Sequence, residues 1–142
     1  MNKSTDAGID GDQCALRQLA TGQLWDRAAG EPLATLILAH GAGAPMDSDF
    51  MTDMARRLAA CGVQMVRFEF AYMAARRLDG KKRPPNPQVQ LLAQWRDVYA
   101  QVRQQVAGPL AIGGKSMGGR MASLLADELG ADALVCLGYP FY

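Results

Sequence analysis

The sequence has no excess of charge of either sign. Its 142 residues include 15 Lys and Arg against 14 Asp and Glu, which leaves a formal net charge of +1. A protein that binds nucleic acid or a membrane surface through its overall field needs a much larger imbalance. We therefore expect no nucleic acid and no membrane among the partners of this chain, since any such role would require a local basic patch.

Long hydrophobic runs and paired cysteines are also lacking. No stretch approaches the roughly 18 apolar residues of a membrane-spanning helix, and the polar N-terminus, MNKSTDAGIDGDQ, has no apolar core of a signal peptide. Cys14, Cys61 and Cys136 show no CxxC or metal-ligand spacing, and the last two lie in apolar segments, where small buried hydrophobic residues are expected. These features predict a cytoplasmic protein without metal or cofactor.

The overall composition is that of one globular domain. With 49% hydrophobic and 20% charged residues, the chain is long enough to bury a core but too short for a second domain. We predict a disordered N-terminus over residues 1–12 and a single domain over residues 13–142. The turn signals Thr21-Gly22 and Gly30-Glu31-Pro32 predict a short antiparallel hairpin over residues 15–32.

Apolar runs alternate with helical periods along the rest of the chain. Runs at 33–39, 63–70, 110–112 and 133–137 predict buried strands,. Three helices are predicted: one between the N-cap candidates at 47–49 and Gly62, one from Asn86 as N-cap and Pro87 as first helical residue to Gly108-Pro109, and one from the GGKSMGG turn to Gly130,. The residues expected to face inward are Phe50, Met51, Met54 and Leu58 in the first helix, Leu92, Trp95, Tyr99, Val102 and Val106 in the second, and Met121, Leu124, Leu125 and Leu129 in the third,. Residues 71–86 show no period and predict a long loop. This alternation predicts a three-layer α/β fold with a mostly parallel sheet.

The turn at residues 113–119 carries the strongest chemical signal. Gly114-Lys115-Ser116-Met117-Gly118 fits G-x-S-x-G between a predicted strand and a predicted helix,. A serine on so sharp a turn has a strained backbone, and glycines two residues to either side remove Cβ atoms that would clash. The following helix directs unpaired N–H groups and its dipole at the serine. The pattern favours Ser116 as a nucleophile; the alternative is a glycine-rich turn in which Ser116 only caps the helix.

Together, GGKSMGGRMAS and LILAHGAGAPMDSDF resemble the α/β-hydrolase family, and in particular its small branch related to the testis-expressed and NSL-complex subunit 3 proteins. The resemblance covers residues 33–142. It implies a partial α/β-hydrolase fold, an esterase-like serine hydrolase that acts on a small-molecule ester, and Ser116 as the nucleophile. It also implies an oxyanion hole formed by backbone N–H groups of Met117, Gly41 and Ala42. The residues expected to support the elbow and the loop are Gly114, Gly118, His40 and Gly43.

The partners of the nucleophile are missing from the sequence. In this family the acid and then the histidine follow the serine along the chain, but no histidine follows Ser116, and Asp127, Glu128 and Asp132 are badly placed for a triad. We therefore expect a C-terminally truncated copy of a longer hydrolase, nearly inert alone because an oxyanion hole by itself leaves about 10³–10⁴ of catalysis over water. The alternative is an inactive interaction module, with self-association through the sheet edge formed by ALVCL.

The sequence contains three weaker patterns. A phosphate-binding loop ending in GKS would need glycine where Pro109 stands,. His40 is the single histidine and a conceivable base, although a histidine in an HGxG loop more often holds the backbone through hydrogen bonds. The basic residues at 76–83 form either a solvated charge run or a surface for an anionic substrate or partner; they are Arg76, Arg77, Lys81, Lys82 and Arg83.

Overall fold

The computed structural model describes residues 22–141. Within this range the elements are β1 (Gln23–Asp26), β2 (Ala34–Ala39), α1 (Asp49–Ala60), β3 (Val63–Phe68), α2 (Ala71–Asp79), α3 (Gln88–Gln105), β4 (Leu110–Lys115), α4 (Met117–Leu129) and β5 (Ala133–Leu137). All four predicted strands and all three predicted helices are confirmed. Strand β4 is longer than predicted, because the glycines after Ile112 still pair with Leu38 and Ala39 of β2.

The strands form one sheet in the order β1-β3-β2-β4-β5. Strand β1 is antiparallel to β3, and the other pairs are parallel. From β2 the chain continues to β3, which pairs with one edge of β2, and later returns to β4, which pairs with the other edge of β2. The loops after β2 and β4 therefore leave the sheet side by side, which is where ligands bind in open α/β sheets.

Helices cover both faces of the sheet, as the predicted three layers require. One apolar cluster joins α1 to the sheet through Leu36, Leu38, Met51, Ala55 and Met65. The larger cluster joins the opposite face to α2, α3 and α4 and includes Ile37, Phe68, Tyr72, Trp95, Val102, Ile112, Met121 and Leu125. Burial of these side chains supplies the main driving force for the fold.

The prediction of a long loop over residues 71–86 is wrong in its first half. Residues 71–79 form α2, and Gly80 ends it in the left-handed conformation at φ 72°. Only Tyr72 and Met73 of this nine-residue helix are buried, so its apolar face is too short to define a repeat in the sequence. Distant side chains satisfy its first amides instead: Ala71 donates to Gln94 Oε1 at 3.1 Å, and Tyr72 donates to Asn86 Oδ1 at 3.0 Å.

Several local predictions also need correction. Asn86 caps α2 rather than its own helix, which begins after Pro87. Phe50 and Leu124, expected to face inward, are 39% and 51% exposed. The small residues Ala55 and Ala122 lie against the sheet in their place, because close helix packing favours the residues with the least volume at the line of contact. Cys61 is exposed at the end of α1, contrary to the expectation of burial.

The predicted disordered residues 1–12, Cys14 and the first part of the predicted hairpin lie outside the described residues. Of the residues predicted to form the hairpin, the structure describes one strand, β1, which pairs with β3 through Gln23 and Phe68 at one end and Asp26 and Met65 at the other. Over residues 22–141, none of the helices combines the length and the apolar character that crossing a bilayer requires.

Candidate active site

Ser116 occupies the turn between β4 and α4 in a strained conformation. Its φ of 50° is the one positive φ of a non-glycine residue within the described part of the chain, and its ψ is −115°. The Ser116 amide donates to the carbonyl oxygen of Leu137 at 2.8 Å. Its side chain makes no capping hydrogen bond to α4, so the hydroxyl is not engaged as it would be in an ordinary helix cap.

Gly114 and Gly118 allow the backbone of this turn to pack closely. A Cβ atom on Gly114 would lie 2.6 Å from backbone atoms of both Gly118 and Gly119. A Cβ atom on Gly118 would overlap the carbonyl oxygen of His40 and would lie 2.8 Å from that of Ala39. Real Cβ atoms do not approach backbone atoms so closely, so any side chain at either position would push α4 away from β2 and β4.

His40 directly follows β2 and is completely buried. Its Nε2 accepts a hydrogen bond from the Phe70 amide at 3.1 Å, and its Nδ1 lies 2.6 Å from the carbonyl oxygen of Gly41. Because Nε2 is an acceptor here, the ring proton is on Nδ1, which donates to Gly41. Burial lowers the pKa of His40 below its ordinary value of 6.5. His40 is therefore a neutral ring with both nitrogens bonded to backbone groups.

Tyr72 of α2 holds the next carbonyl of the same loop. Its hydroxyl donates to the Ala42 carbonyl oxygen at 2.9 Å and lies 3.5 Å from that of Gly41. The side chain is 4% exposed, and this burial raises the pKa of Tyr72 to about 12, against an opposing effect of Arg76. The phenol consequently stays protonated and acts as a donor over the whole physiological pH range.

A buried carboxylate anchors the far end of the loop. Glu69 Oε2 accepts from the Met46 amide at 3.2 Å, while Arg67 donates to the Met46 carbonyl at 3.0 Å. Arg77 of α2 bridges Glu69 and Asp47, each at 2.7 Å. The hydrogen bond from Arg77 lowers the pKa of Asp47, and the bond to Glu69, followed by that to Asp47, raises the pKa of Arg77.

These anchoring residues were missed by sequence reasoning. Glu69 had one available signal, since it is a carboxylate at the end of the apolar run VQMVRFEF and a buried carboxylate needs a partner. Nothing in the sequence identifies Arg77 as that partner or Tyr72 as the residue above Ala42.

An open cleft of about 350 Å³ lies between the loop and the turn. Its lining residues are Gly41, Ala42, Gly43, Ala44, Ser48, Met51, Lys115 and Ser116. A Cβ atom on Gly41 would lie 3.6 Å from that of Ser116, so the loop and the turn are in direct contact. The structure thus brings Ser116, Gly41, Ala42 and Gly43 to one cleft. It places Gly114, Gly118 and His40 behind that cleft, and it places Met117 at the first position of α4.

Two of the three acidic residues after Ser116 are engaged elsewhere, and the third lies inside α4. Glu128 pairs with Arg96 at 2.6 Å, and Asp132 accepts from the Leu110 amide at 2.8 Å, at the end of the sheet opposite to Ser116. Asp127 lies inside α4. Across the described range 22–141, no three His, Cys, Asp or Glu side chains are grouped so that they could hold a metal ion.

The basic segment at 76–83 is partly neutralised within the chain. Arg77 is bound by Glu69 and Asp47, and Arg83 pairs with Asp79 at 2.5 Å. Arg76 lies 3.5 Å from the Gly43 carbonyl oxygen. Lys81 and Lys82 are exposed. The segment is therefore less basic than its sequence indicates.

Comparison with known proteins identifies the family. A family model described as an alpha/beta hydrolase domain matches residues 32–142. The structure is similar to an α/β serine hydrolase without a lid from Xanthomonas campestris, with 22% identity and a TM-score of 0.63 over 80% of this chain and 53% of that chain. It is also similar to an α/β serine hydrolase homologue from Coxiella burnetii, with 22% identity and a TM-score of 0.69 over 84% of this chain and 58% of that chain.

A third similar structure is a thermostable carboxyl esterase from Bacillus coagulans in complex with glycerol. It has 16% identity and a TM-score of 0.64 over 80% of this chain and 37% of that chain. No curated protein sequence matches the chain. The chain thus spans 53% and 58% of the length of the first two structures. Because the family model matches most of the sequence and the sheet order and helical layers agree with its fold, the chain belongs to the α/β-hydrolase family.

Proposed function

We propose that the protein is a serine hydrolase of small-molecule esters with Ser116 as its nucleophile. The observation that carries the proposal is the strained backbone of Ser116 at φ 50°, in a residue whose side chain makes no capping bond and which lines an open cleft. Strain of this kind costs about 1–3 kcal/mol and persists where function requires it. The similar structures named serine hydrolases and esterases support the same reaction class.

The loop after β2 supplies the other half of the proposed site. In a trans peptide the C=O and the N–H point in opposite directions. The Gly41 and Ala42 carbonyls are held by His40 and Tyr72, which turns the N–H groups of the same two peptides, those of Ala42 and Gly43, away from these side chains. With the Met117 N–H at the start of α4, they form the proposed oxyanion hole, in which one donor is worth about 10²–10³ in rate. The proposal thus keeps Met117 and Ala42 and takes the Gly43 N–H in place of the Gly41 N–H that the resemblance implies.

The proposed reaction is acyl transfer to water. Ser116 Oγ attacks the ester carbonyl carbon, the oxyanion is held by the backbone N–H groups, and the alcohol leaves with a proton. Water then attacks the acyl-enzyme, releases the acid and restores the hydroxyl.

A serine needs a base to attack at neutral pH, and both ring nitrogens of His40 are already bonded to backbone groups,. We propose that the acid and the base come from residues outside these 142, and that the 142 residues alone hydrolyse esters slowly.

Covalent labelling tests the nucleophile. The native gene product is treated with a fluorophosphonate probe and its mass is measured, with the labelled peptide sequenced. One label per chain, on Ser116, is expected, and none in Ser116→Ala. The matched control is Ser123→Ala, since Ser123 lies on α4 and is bonded to the Arg120 carbonyl and to Tyr139; it should label as the wild type does. A label on Ser48, the other hydroxyl of the cleft, would refute the proposal.

The alternative is a catalytically inactive interaction module, and one observation favours it. Within residues 22–141, β5 pairs with β4 alone, and Leu134 on this edge is 41% exposed. An uncovered strand edge can pair with another chain. Light scattering of the native gene product decides: a concentration-dependent dimer abolished by Leu134→Lys supports self-association through β5, and a monomer at all concentrations rules it out.

The resemblance to the testis-expressed and NSL-complex subunit 3 branch and the cytoplasmic location stay predictions.

A further inference from the structure

Lys115 places a positive charge beside the candidate nucleophile. It directly precedes Ser116 and lines the same cleft. Its Nζ lies 4.7 Å from the centroid of the Phe50 ring, in the first turn of α1. An ammonium group above an aromatic face is attracted by the negative face of the ring. The contact directs the Lys115 side chain across the wall of the cleft towards α1.

No carboxylate compensates this charge. Every ion pair found among residues 22–141 involves an arginine, and none includes Lys115. The other residues that line the cleft are glycine, alanine, serine and methionine. Of the two aspartates next to the cleft residue Ser48, Asp47 is bound to Arg77 and Asp49 is exposed in the first turn of α1. The cleft therefore carries one cation and no anion.

This arrangement also explains why Phe50 is exposed although its helix position was expected to be buried. Phe50 is 39% exposed, and its ring packs against the Lys115 ammonium instead of entering the core. Phe50 thus holds the charge in place without neutralising it. A cation positioned in this way keeps its hydrogen-bond donors available for a ligand.

We propose that the cleft takes esters that carry a carboxylate, and that Lys115 binds this carboxylate while Ser116 faces the ester carbonyl. Because both residues line the same cleft of about 350 Å³, one small ligand can contact both, with a spacer of a few carbon atoms between its carboxylate and its ester group. Half-esters of short dicarboxylic acids have this form. The inference rests on the proposed function and names its substrate class.

Equilibrium binding tests the inference without turnover. Ser116→Ala is made in the native gene product, and monomethyl succinate and monomethyl glutarate are titrated by calorimetry against their dimethyl esters. The half-ester is expected to bind about tenfold more tightly than its neutral diester, as for a hydrogen bond to a charged group. Adding Lys115→Met should remove this preference, and Lys115→Arg should retain it. High salt should weaken it.

Lys82→Met is the matched control, because it removes an exposed lysine that does not line the cleft, and it should keep the preference. Equal binding of half-ester and diester, no detectable binding of the half-ester, or a preference that survives Lys115→Met would overturn the inference. Fluorophosphonate labelling of Ser116 is the separate readout for the proposed function. A labelled serine without carboxylate preference refutes the role of Lys115 alone, whereas a carboxylate preference without labelling refutes the hydrolase.

Discussion

The imidazole of His40 accepts a hydrogen bond from the Phe70 amide, with 3.1 Å between Nε2 and the backbone nitrogen. The two residues lie 30 positions apart, at the ends of the neighbouring strands β2 and β3, and their rings meet edge to face at 5.2 Å. If Nε2 were protonated, it and the Phe70 N–H would be two hydrogen-bond donors facing each other in a buried site. The neutral imidazole of His40 therefore links the segments that follow β2 and β3.

Because of this hydrogen bond, we expect the folded protein to lose stability in weak acid. The pKa of His40 is lowered in the folded state from 6.5, so below that pH the unfolded chain takes up a proton that the folded chain does not. The free energy of unfolding should therefore decrease as the pH falls below 6.5, by at most about 1.4 kcal/mol per pH unit. Urea unfolding at a series of pH values between neutrality and pH 5 measures the slope.

His40→Gln is the control, because glutamine offers an amide oxygen to the Phe70 N–H but does not titrate. It should be less stable than the wild type at neutral pH and should show a smaller slope. The same slope in both proteins would assign the effect to other groups. The pKa of Asp47 is also lowered from its ordinary value of 3.8. This shift affects the free energy of unfolding at pH values below those of the proposed measurement.

Two replacements of Ser116 distinguish the backbone strain at this position from its proposed role as the nucleophile. Both Ser116→Ala and Ser116→Gly should abolish fluorophosphonate labelling, but only glycine relieves the positive φ of 50°. The free energy of unfolding of Ser116→Gly should exceed that of Ser116→Ala by about 1 kcal/mol, after allowance for the greater entropy of an unfolded glycine. Denaturant titration of the two variants gives the difference. An alanine variant at least as stable would show that the turn is not strained.

Alanine at Gly114 should displace the turn. The new Cβ atom would lie 2.6 Å from the backbone of Gly118 and Gly119, so α4 must shift. Overpacking of this kind lowers the free energy of unfolding by about 1–3 kcal/mol, and labelling of Ser116 should slow. Gly43→Ala is the matched control for stability, since no atom lies within 4 Å of its Cβ position. It should change stability by less than about 0.5 kcal/mol; equal losses in both variants would contradict the packing argument.

Tyr72→Phe should loosen the loop after β2. It removes the hydroxyl that donates to the Ala42 carbonyl at 2.9 Å and should lower the free energy of unfolding by about 1 kcal/mol. The Ala42–Gly43 peptide is then free to rotate, so we expect labelling of Ser116 to slow by roughly tenfold, a fraction of the effect of losing one oxyanion donor. The rate is measured from the time course of labelling.

Tyr139→Phe provides the comparison, because it removes a tyrosine hydroxyl whose partner is the Ser123 hydroxyl at 3.0 Å and not a carbonyl of the loop after β2. Labelling should proceed at the wild-type rate in this variant. If both phenylalanine variants slow labelling equally, Tyr72 has no specific effect on the loop.

Arg77→Met should destabilise the fold more than loss of a surface ion pair does. Its partner Glu69 has a side chain only 3% exposed, and removal of Arg77 leaves this carboxylate buried without a cation. We expect a loss of about 2 kcal/mol in the free energy of unfolding, less than for a fully buried pair because Arg77 is partly exposed. The control Arg83→Met breaks a pair between exposed side chains and should leave the denaturation midpoint nearly unchanged. Similar midpoints for the two variants would contradict the anchoring role of Arg77.

The outline of the fold was predictable because its signals are local. The apolar runs of β2 to β5, the Ser48 cap of α1, the glycines that follow α1 and α4, and the glycines around Ser116 each report on the backbone within a few residues. The strand-to-helix position of GKSMG followed from its two neighbouring elements. Helix faces were less accurate, as Phe50 and Leu124 show, because small residues such as Ala55 and Ala122 do not stand out in a hydrophobic period although they allow the closest packing.

By itself, the sequence determined the layer architecture, the parallel strands and the identity of the turn at Ser116. Only the tertiary structure decided how the loop after β2 is held. Its contacts join residues about 20–30 positions apart, such as Tyr72 with Ala42 and Glu69 with Met46, which become neighbours once β2 and β3 pair in register. The same holds for α2, whose first amides are capped by Gln94 and Asn86, and for the Lys115 ammonium above Phe50. Side chains brought together by sheet pairing leave no period in the sequence, because their spacing is set by the fold and not by the local backbone.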